Sequence, residues 1–247
     1  DPGPPFRAYA MGRDGSPALV ACGPGTGQTP VPEADELGAE GRFFNDYCNW
    51  QRIPEYARFV RESDAGALAA ALMRSSQVRV FHEHVLVKEP GADVSTPWHQ
   101  DGGYYCVRGG QTVSFWIPLD RVPRERTLEF VPGSHRAGVE YRPERFNRTA
   151  LVPDDSRAAV PDIDADPSAH GVVGWAMEPG DAVAFQYTTL HGAPANTSRA
   201  DRRRAFSLRL FGDDARFAER PVTSPPFPGL ALRDGDELDV PAFPRIA

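Results

Sequence analysis

Two histidines and one aspartate stand out in this chain because their side chains could bind one metal ion. The segment Trp98-His99-Gln100-Asp101 places two of them two residues apart, and His191 lies far downstream. Two imidazoles and one carboxylate form the ligand set of non-haem Fe(II) sites, which keep positions open for substrate and oxygen. Because side chains at i and i+2 of a strand point to one face, we predict that His99 and Asp101 bind the ion from one strand. His191 would reach it from a remote strand.

A second set of ligands competes with the first. His82 and His84 are followed by Glu89, an arrangement close to the metal motif of the cupins. The glycines that flank the cupin motif are replaced here by Ser76 and Thr96. A non-redox metal enzyme, such as an isomerase or hydrolase, would use this set. The plainer interpretation is that one of the two histidines faces the core and the other lies at the surface.

Arg203 is the candidate for holding a dicarboxylate. A guanidinium is always charged and can bind a carboxylate through two parallel hydrogen bonds, which an ammonium cannot do. If residues 202–210 form a strand, two sets of side chains alternate across it. Arg203, Ala205, Ser207 and Arg209 would share one face, while Arg202, Arg204, Phe206, Leu208 and Leu210 would share the other.

The composition bounds the class of protein. A chain of 247 residues with 40% hydrophobic and 25% charged residues is expected to form a single domain spanning 1–247. The net charge of −7 and the lack of a long basic cluster argue against a nucleic-acid partner. No apolar run approaches the roughly 18 residues of a membrane span. Three cysteines without a CxxC spacing argue against a disulfide framework and fit a reducing cytoplasm.

One basic residue departs from the rest of the composition. Lys88 is the only lysine, and every other member of the 27 Lys and Arg residues is an arginine. A GC-rich coding genome explains the arginines, so they need no functional account. Lys88 itself is the exception.

The secondary-structure signals predict an all-β core with flanking helices. Residues 1–40 are rich in Gly and Pro and predict an irregular arm. One helix is expected after Pro54, and a second with Ser63 or Asp64 as its N-cap. Short segments at 78–87, 112–117, 128–131, 172–177, 182–185 and 205–211 are typical of strands joined by Gly/Pro turns. The polar segment 136–169 predicts a lid or insertion.

These residues together resemble the phytanoyl-CoA dioxygenase (PhyH-like) family of Fe(II)/2-oxoglutarate oxygenases. The resemblance extends from about residue 43 to 211 and rests on an ordered set of motifs. They are Val87-Lys88-Glu89-Pro90-Gly91, Trp98-His99-Gln100-Asp101, Phe115-Trp116-Ile117-Pro118-Leu119-Asp120, Leu128-Glu129-Phe130-Val131-Pro132-Gly133-Ser134-His135, Pro179-Gly180-Asp181, and the stretch from His191 through Asn196 to Arg203.

The resemblance implies a fold, a ligand set and a co-substrate pocket. The family fold is a double-stranded β-helix, a cupin-like jelly roll braced by helices. Its iron ligands correspond to His99, Asp101 and His191, and the arginine that pairs with the distal carboxylate of 2-oxoglutarate corresponds to Arg203. Arg202 remains the alternative, because the family's gap from the distal histidine is usually one residue shorter. Further co-substrate contacts correspond to Trp116, Gln100 and His84; the last replaces a residue that is commonly methionine.

The resemblance also implies a reaction. Fe(II), 2-oxoglutarate and O2 would oxidise a C–H bond of a small organic molecule, most simply by hydroxylation, and release succinate and CO2. Desaturation or ring closure could use the same residues. Related halogenases carry a small residue at the position of Asp101, so its presence disfavours halogenation. Tyr104, Tyr105 and the 136–169 segment are candidates for the substrate side.

The open questions are the substrate and whether the site is active. Natural-product tailoring is the analogy that the family suggests. A binding module that kept the fold and lost the chemistry is a third alternative, besides the oxygenase and the non-redox metal enzyme. A monomer or a homodimer is expected.

Overall fold

The structure, a computed structural model, describes residues 41–145 and 148–247 in full and residues 7–11 and 17–22 as backbone. Over these residues it contains antiparallel strands and two α-helices. The strands are β1 (Arg7–Met11), β2 (Pro17–Cys22), β3 (Phe43–Tyr47), β4 (Arg79–Lys88), β5 (Thr96–His99), β6 (Val107–Arg108), β7 (Thr112–Pro118), β8 (Glu129–Phe130), β9 (Val183–Phe185), β10 (His191–Ala193), β11 (Arg203–Phe211) and β12 (Arg216–Phe217). The helices are α1 (Pro54–Glu62) and α2 (Ala65–Met73).

The strands form one large and two small antiparallel sheets. The seven-stranded sheet has the order β2-β1-β3-β4-β11-β7-β9, and the three-stranded sheet has the order β5-β10-β8. A two-stranded sheet pairs β12 with β6. The sheet-rich core with few helices agrees with the predicted all-β class and with a jelly-roll architecture.

The two faces of strand β11 pack against different parts of the protein. Phe206, Leu208 and Leu210 pack in one apolar cluster with residues of α1 and α2. Ala205, on the opposite face, packs in a different cluster with Trp116 of β7. The alternation of side chains predicted for this strand is therefore confirmed, and both faces are buried because helices cover one of them.

The helices begin where the sequence predicts. Pro54 is the first residue of α1, a position where the missing N–H of proline costs no hydrogen bond. Asp64 is the N-cap of α2, and the hydroxyl of Ser63 accepts a hydrogen bond from the amide of Ala65 at 3.4 Å. The helix ends at Met73, and its C-cap, Arg74, has a left-handed backbone conformation.

Two predictions of secondary structure are wrong. The first 40 residues are not an irregular arm throughout, because β1 and β2 add two strands to the edge of the large sheet. The rest of that segment lies outside the described residues. Residues 172–177 form isolated bridges, from Val173 to Phe130 and from Met177 to Val122, instead of a strand. Gly174 lies between the bridges, where a Cβ would come within 3.0 Å of Thr127 Cγ2.

The predicted lid packs closely against the three-stranded sheet. Its short 3-10 helix, Ile163–Ala165, places the Ile163 side chain in a buried cluster with Trp98 and Leu190. The indole Nε1 of Trp98 donates a hydrogen bond to Asp164 at 2.7 Å. The segment therefore contacts the strand that leads into His99; its role as a lid stays a prediction. Among the described residues, no helix is both long and apolar enough to cross a bilayer.

Candidate metal centre

The structure brings the three predicted ligands together. Oδ1 of Asp101 lies 3.6 Å from Nε2 of His99 and 3.8 Å from Nε2 of His191. One ligand atom from each residue lies within 4.8 Å of the other two. Over the described part of the chain, this is the one group of three or more His, Cys, Asp or Glu side chains so arranged. Its two nitrogens and one oxygen match the predicted non-haem iron ligands.

Backbone pairing explains why residues so distant in sequence meet. His191 of β10 is directly paired with His99 of β5 in the antiparallel register. The prediction that Asp101 belongs to the same strand as His99 is wrong, because Asp101 begins a 3-10 turn, Asp101–Gly103. The residue between the two ligands, Gln100, is nonetheless extended, with φ −111° and ψ 130°. Because of that conformation, His99 and Asp101 still project to the same side.

Each imidazole is oriented by a backbone carbonyl. Nδ1 of His99 lies 2.8 Å from the carbonyl oxygen of Pro97, and Nδ1 of His191 lies 2.9 Å from that of Thr189. A proton on each Nδ1 leaves Nε2 free to bind a metal, a common arrangement around metal-ligating histidines. Burial, with His99 next in importance, lowers the pKa of His191 to about 3. At neutral pH the ring is therefore in the neutral form that a metal requires.

Asp101 stays ionised although it is buried. Burial by itself would raise its pKa, but the Arg209 guanidinium and then the two histidines hold the pKa well below its usual range. Nε of Arg209 lies 3.7 Å from Oδ2 of Asp101, and the Ser114 hydroxyl donates a hydrogen bond to the same oxygen at 3.1 Å. The two carboxylate oxygens thus have separate surroundings, with Oδ1 facing the imidazoles.

Two further cationic side chains, those of Arg203 and Lys88, lie at the opposite end of β11 from Arg209. Arg203 pairs with Lys88 in the register of β11 and β4, and their side chains are 5% and 0% exposed. Nζ of Lys88 donates to the carbonyl oxygen of Pro194 at 2.9 Å, and Nη1 of Arg203 donates to that of Arg126 at 2.7 Å. Over the described residues, neither cation forms an ion pair with a carboxylate.

The choice between neighbouring arginines follows from these contacts. Arg203 points inward, whereas Arg202 is about half exposed and pairs with Glu89 at 2.9 Å. Arg204, also outward, pairs with Asp120. The strand alternation that favoured Arg203 is consistent with the structure, and Arg202 has its own carboxylate partner.

The sequence matches the phytanoyl-CoA dioxygenase (PhyH) family over residues 25–205. The chain belongs to this family. The match spans most of the chain and confirms the resemblance predicted from the motifs. The expected cofactors, iron and 2-oxoglutarate, agree with the family and with the ligand set.

Solved structures of several enzymes are similar to the chain. The α-ketoglutarate-dependent carbocyclase SnoK from nogalamycin biosynthesis is 26% identical, with 83% of this chain and 76% of SnoK covered and a TM-score of 0.61. The epimerase SnoN from the same biosynthesis is 24% identical, with 85% and 78% covered and a TM-score of 0.64. EctD from S. alaskensis, solved with 2-oxoglutarate and 5-hydroxyectoine, is 21% identical, with 78% and 64% covered and a TM-score of 0.56.

Gln100 lies apart from the predicted co-substrate contacts. As the residue between two ligands, it projects to the opposite side, and its amide nitrogen donates to the carbonyl oxygens of Val139 and Thr188. Its amide oxygen accepts from the Tyr141 amide at 3.0 Å. The bonds to Val139 and Tyr141 tie the metal-binding turn to the 136–169 segment, and the third ties it to Thr188; together they argue against contact with 2-oxoglutarate.

Two other predicted contacts lie on the inner face of the large sheet. Trp116 is two residues beyond Ser114 on β7 and is buried against Ala205. His84 of β4 pairs in register with Ser207, and its Nε2 lies 3.0 Å from Oδ1 of Asn45. Burial, followed by the charge of Arg209, lowers the pKa of His84 to about 3. Both positions suit a co-substrate pocket, and direct contact stays a prediction.

The cupin-like alternative is not assembled. His82 and His84 are both on the inner face of β4, so the expectation that one of them faces the surface is wrong. Glu89, which would complete the set, lies beyond the end of the strand and pairs with Arg202. None of His82, His84 and Glu89 belongs to the one candidate metal-binding group found among the described residues.

The two tyrosines proposed for the substrate side differ in position. The Tyr104 ring lies 5.9 Å from the His99 ring, and its hydroxyl bonds to the backbone of Glu144 in the predicted lid. Tyr105 is buried instead and accepts a hydrogen bond from Nε of Arg209 at 2.6 Å. Tyr104 therefore remains a candidate for the substrate side, whereas Tyr105 belongs to the surroundings of Asp101.

Sequence reasoning missed the groups that support the ligands. The hydroxyl of Ser114 and the guanidinium of Arg209 both reach Asp101, but from different strands. The alternation along β11 already places Arg209 on the same face as Arg203. Only the cross-strand register, which sequence alone does not give, brings it to Asp101.

Proposed function

We propose that the protein is an Fe(II)/2-oxoglutarate-dependent dioxygenase that oxidises a C–H bond of a small organic molecule, most simply by hydroxylation. One observation carries the proposal. The inner face of the sheets has a three-residue ligand group, His99, Asp101 and His191, at one end and two buried cations, Arg203 and Lys88, at the other. A metal ion would bind at the first end, and a dicarboxylate that also contacts the metal would pair with the cations at the second.

The ligand group fits a ferrous ion by its chemistry. Two neutral imidazoles and one carboxylate are the donors of non-haem Fe(II) sites, which keep other positions open for substrate and oxygen. When bound, the metal with 2-oxoglutarate and O2 supplies the oxidising power for a C–H bond, and succinate and CO2 are released. The chain's own residues hold the donors in place, because each imidazole and the carboxylate have a second partner.

Arg203 and Lys88 suit the distal carboxylate of 2-oxoglutarate. Both contact the carbonyl oxygen of Pro194, at 3.4 and 2.9 Å. Pro194 is three residues beyond His191, or about 10 Å along an extended chain. That separation suits a five-carbon diacid with one end at the metal.

Burial of the two cations favours an anion over a neutral ligand. Burial, followed by the neighbouring charge of Arg203, lowers the pKa of Lys88 well below its usual range. Burial and the charge of Arg126 lower the pKa of Arg203 to about 10. A carboxylate placed beside them would offset both effects, since an opposite charge favours the ionised forms.

The substrate side would be formed by Tyr104 and the 136–169 segment. His99 is the most exposed of the three ligands, with 22% of its side chain accessible, and Tyr104 lies beside it. The segment would orient the substrate and exclude water. SnoK and SnoN, a carbocyclase and an epimerase of one biosynthesis, make natural-product tailoring the favoured context and leave ring closure open beside hydroxylation. A cytoplasmic location and a monomeric or dimeric state remain predictions.

Turnover of the co-substrate tests this function. We expect the iron-loaded protein to consume O2 and to convert 2-oxoglutarate into succinate, faster with a true substrate in a screen of small natural products. His99→Ala and His191→Ala should lose both iron binding and turnover. Activity that persists without O2 and 2-oxoglutarate would favour a non-redox metal enzyme. Iron and 2-oxoglutarate binding without succinate release under any condition would favour a binding module.

A further inference from the structure

The surroundings of Asp101 differ sharply between its two oxygens. Oδ1 faces Nε2 of His99 and His191 at 3.6 and 3.8 Å. Oδ2 is turned away from them, toward the Ser114 hydroxyl at 3.1 Å and Nε of Arg209 at 3.7 Å. One oxygen is therefore available to a metal, and the other is already engaged by the protein.

A buried chain of contacts supports Oδ2. Nε of Arg209 donates a hydrogen bond to the Tyr105 hydroxyl at 2.6 Å, so Tyr105 holds the guanidinium beside Asp101. Nη1 of Arg209 contacts the carbonyl oxygen of Ser207 at 3.4 Å, which fixes the guanidinium against its own strand. Within the described residues, the one ion pair of Arg209 is with Asp101.

The burial of this group is hard to explain by stability alone. Taking a guanidinium and a carboxylate out of water costs as much as their attraction returns, and apolar side chains of similar size often stabilise a core as well. Arg209 is 6% exposed and Tyr105 is 4% exposed, so both are enclosed with Asp101. A functional demand on the orientation of the carboxylate accounts for a buried pair at this place.

We propose that Arg209 and Tyr105 are positioning residues that hold Asp101 so that it binds the metal through Oδ1 alone. The proposal rests on the proposed function, because it presumes a metal at the three ligands. A carboxylate held in this way occupies one coordination position. A carboxylate free to rotate could bind through both oxygens and block a position that the co-substrate or oxygen needs.

Titration of the metal-free protein with Co²⁺ tests the proposal, because the visible spectrum of bound Co²⁺ reports both affinity and coordination. Removing a group that orients a metal ligand weakens metal binding about 10–100-fold. We expect a loss of this size for Arg209→Gln, partial rescue by Arg209→Lys, and a smaller loss for Tyr105→Phe. The Co²⁺ spectrum of the first and third variants should also change in intensity.

The matched control is Arg204→Gln. Arg204 lies on the same strand, faces the other way and pairs with Asp120 at the surface, so its loss should leave Co²⁺ binding unchanged. If Arg209→Gln does not fold, Tyr105→Phe still tests the proposal, since it removes one hydroxyl only. Wild-type affinity and spectrum in the folded variants would overturn the positioning role. A wild-type protein that binds no Co²⁺ at all would instead overturn the proposed function along with it.

Discussion

Replacing Arg203 by glutamine should weaken the binding of 2-oxoglutarate strongly while changing the stability of the fold little. Truncating one partner of a buried, hydrogen-bonded charge pair costs about 2–5 kcal/mol. Lys88 remains beside the lost guanidinium and keeps part of the attraction for a carboxylate. We therefore expect the lower half of that range, about 2–3 kcal/mol. At 1.4 kcal/mol for each factor of ten, the Kd for 2-oxoglutarate should rise roughly 30- to 150-fold.

The effect of the same change on folding should be small. In the ligand-free protein, Arg203 lies near the cations Lys88 and Arg126 and has no carboxylate partner among the described residues. Glutamine keeps a donor for the carbonyl oxygen of Arg126 and removes a buried charge. The free energy of unfolding should therefore fall by no more than about 1 kcal/mol, the net value of one hydrogen bond.

Calorimetric titration of 2-oxoglutarate into the Mn²⁺-loaded protein measures the Kd, and urea unfolding of the metal-free protein measures stability. Arg202→Gln is the control, because Arg202 is exposed and pairs with Glu89. If the Arg203 variant binds 2-oxoglutarate like the wild type, the assignment of Arg203 to the distal carboxylate is refuted. If only the Arg202 variant loses binding, Arg202 is the co-substrate arginine instead.

Three further changes test other parts of the site. Asp101→Ala should lower the unfolding free energy of the metal-free protein by about 3–5 kcal/mol, because Arg209 keeps a buried charge without its partner; urea unfolding checks this, and an unchanged midpoint would contradict the ion pair. Gln100→Ala should speed hydrogen exchange at the Tyr141 amide, because this amide donates a hydrogen bond to the Gln100 side chain at 3.0 Å. Unchanged exchange would mean that this hydrogen bond does not hold the 136–169 segment in place. The pKa of His84 is depressed from 6.5 to about 3, so its neutral form stabilises the fold above pH 6.5, and this contribution is lost as pH falls from 6.5 toward 3. His84→Gln should flatten that part of the pH–stability curve, and an unaltered slope would argue against the depressed pKa.

The ligand set could be predicted from sequence because it depends on local rules. A spacing of two residues places His99 and Asp101 on one side whenever the intervening residue is extended, and Gln100 is extended even though Asp101 lies outside the strand. The same alternation distinguishes Arg203 from Arg202. Neither inference needs knowledge of which strands are neighbours.

The groups around the ligands could not be predicted, because they depend on register between strands. Ser114 reaches Asp101 because β7 lies beside the turn that follows β5. Arg209 reaches Asp101 because β11 pairs with β7, which places Arg209 next to Ser114. The resemblance places Gln100 at the co-substrate, but backbone groups from two other segments hold its amide, and sequence alone does not show that those segments lie beside it. A spacing gives the side to which a residue points, but not what it meets there.

The burial of Lys88 gives the protein an internal reporter. As the only lysine, it carries the single side-chain amine, and that amine is enclosed under the Phe43 ring, 4.7 Å from its centre. An acylating reagent in solution can reach this nitrogen only after the sheets separate locally. The rate at which the peptide containing Lys88 gains the mass of an acyl group therefore measures how often the structure around Lys88 opens.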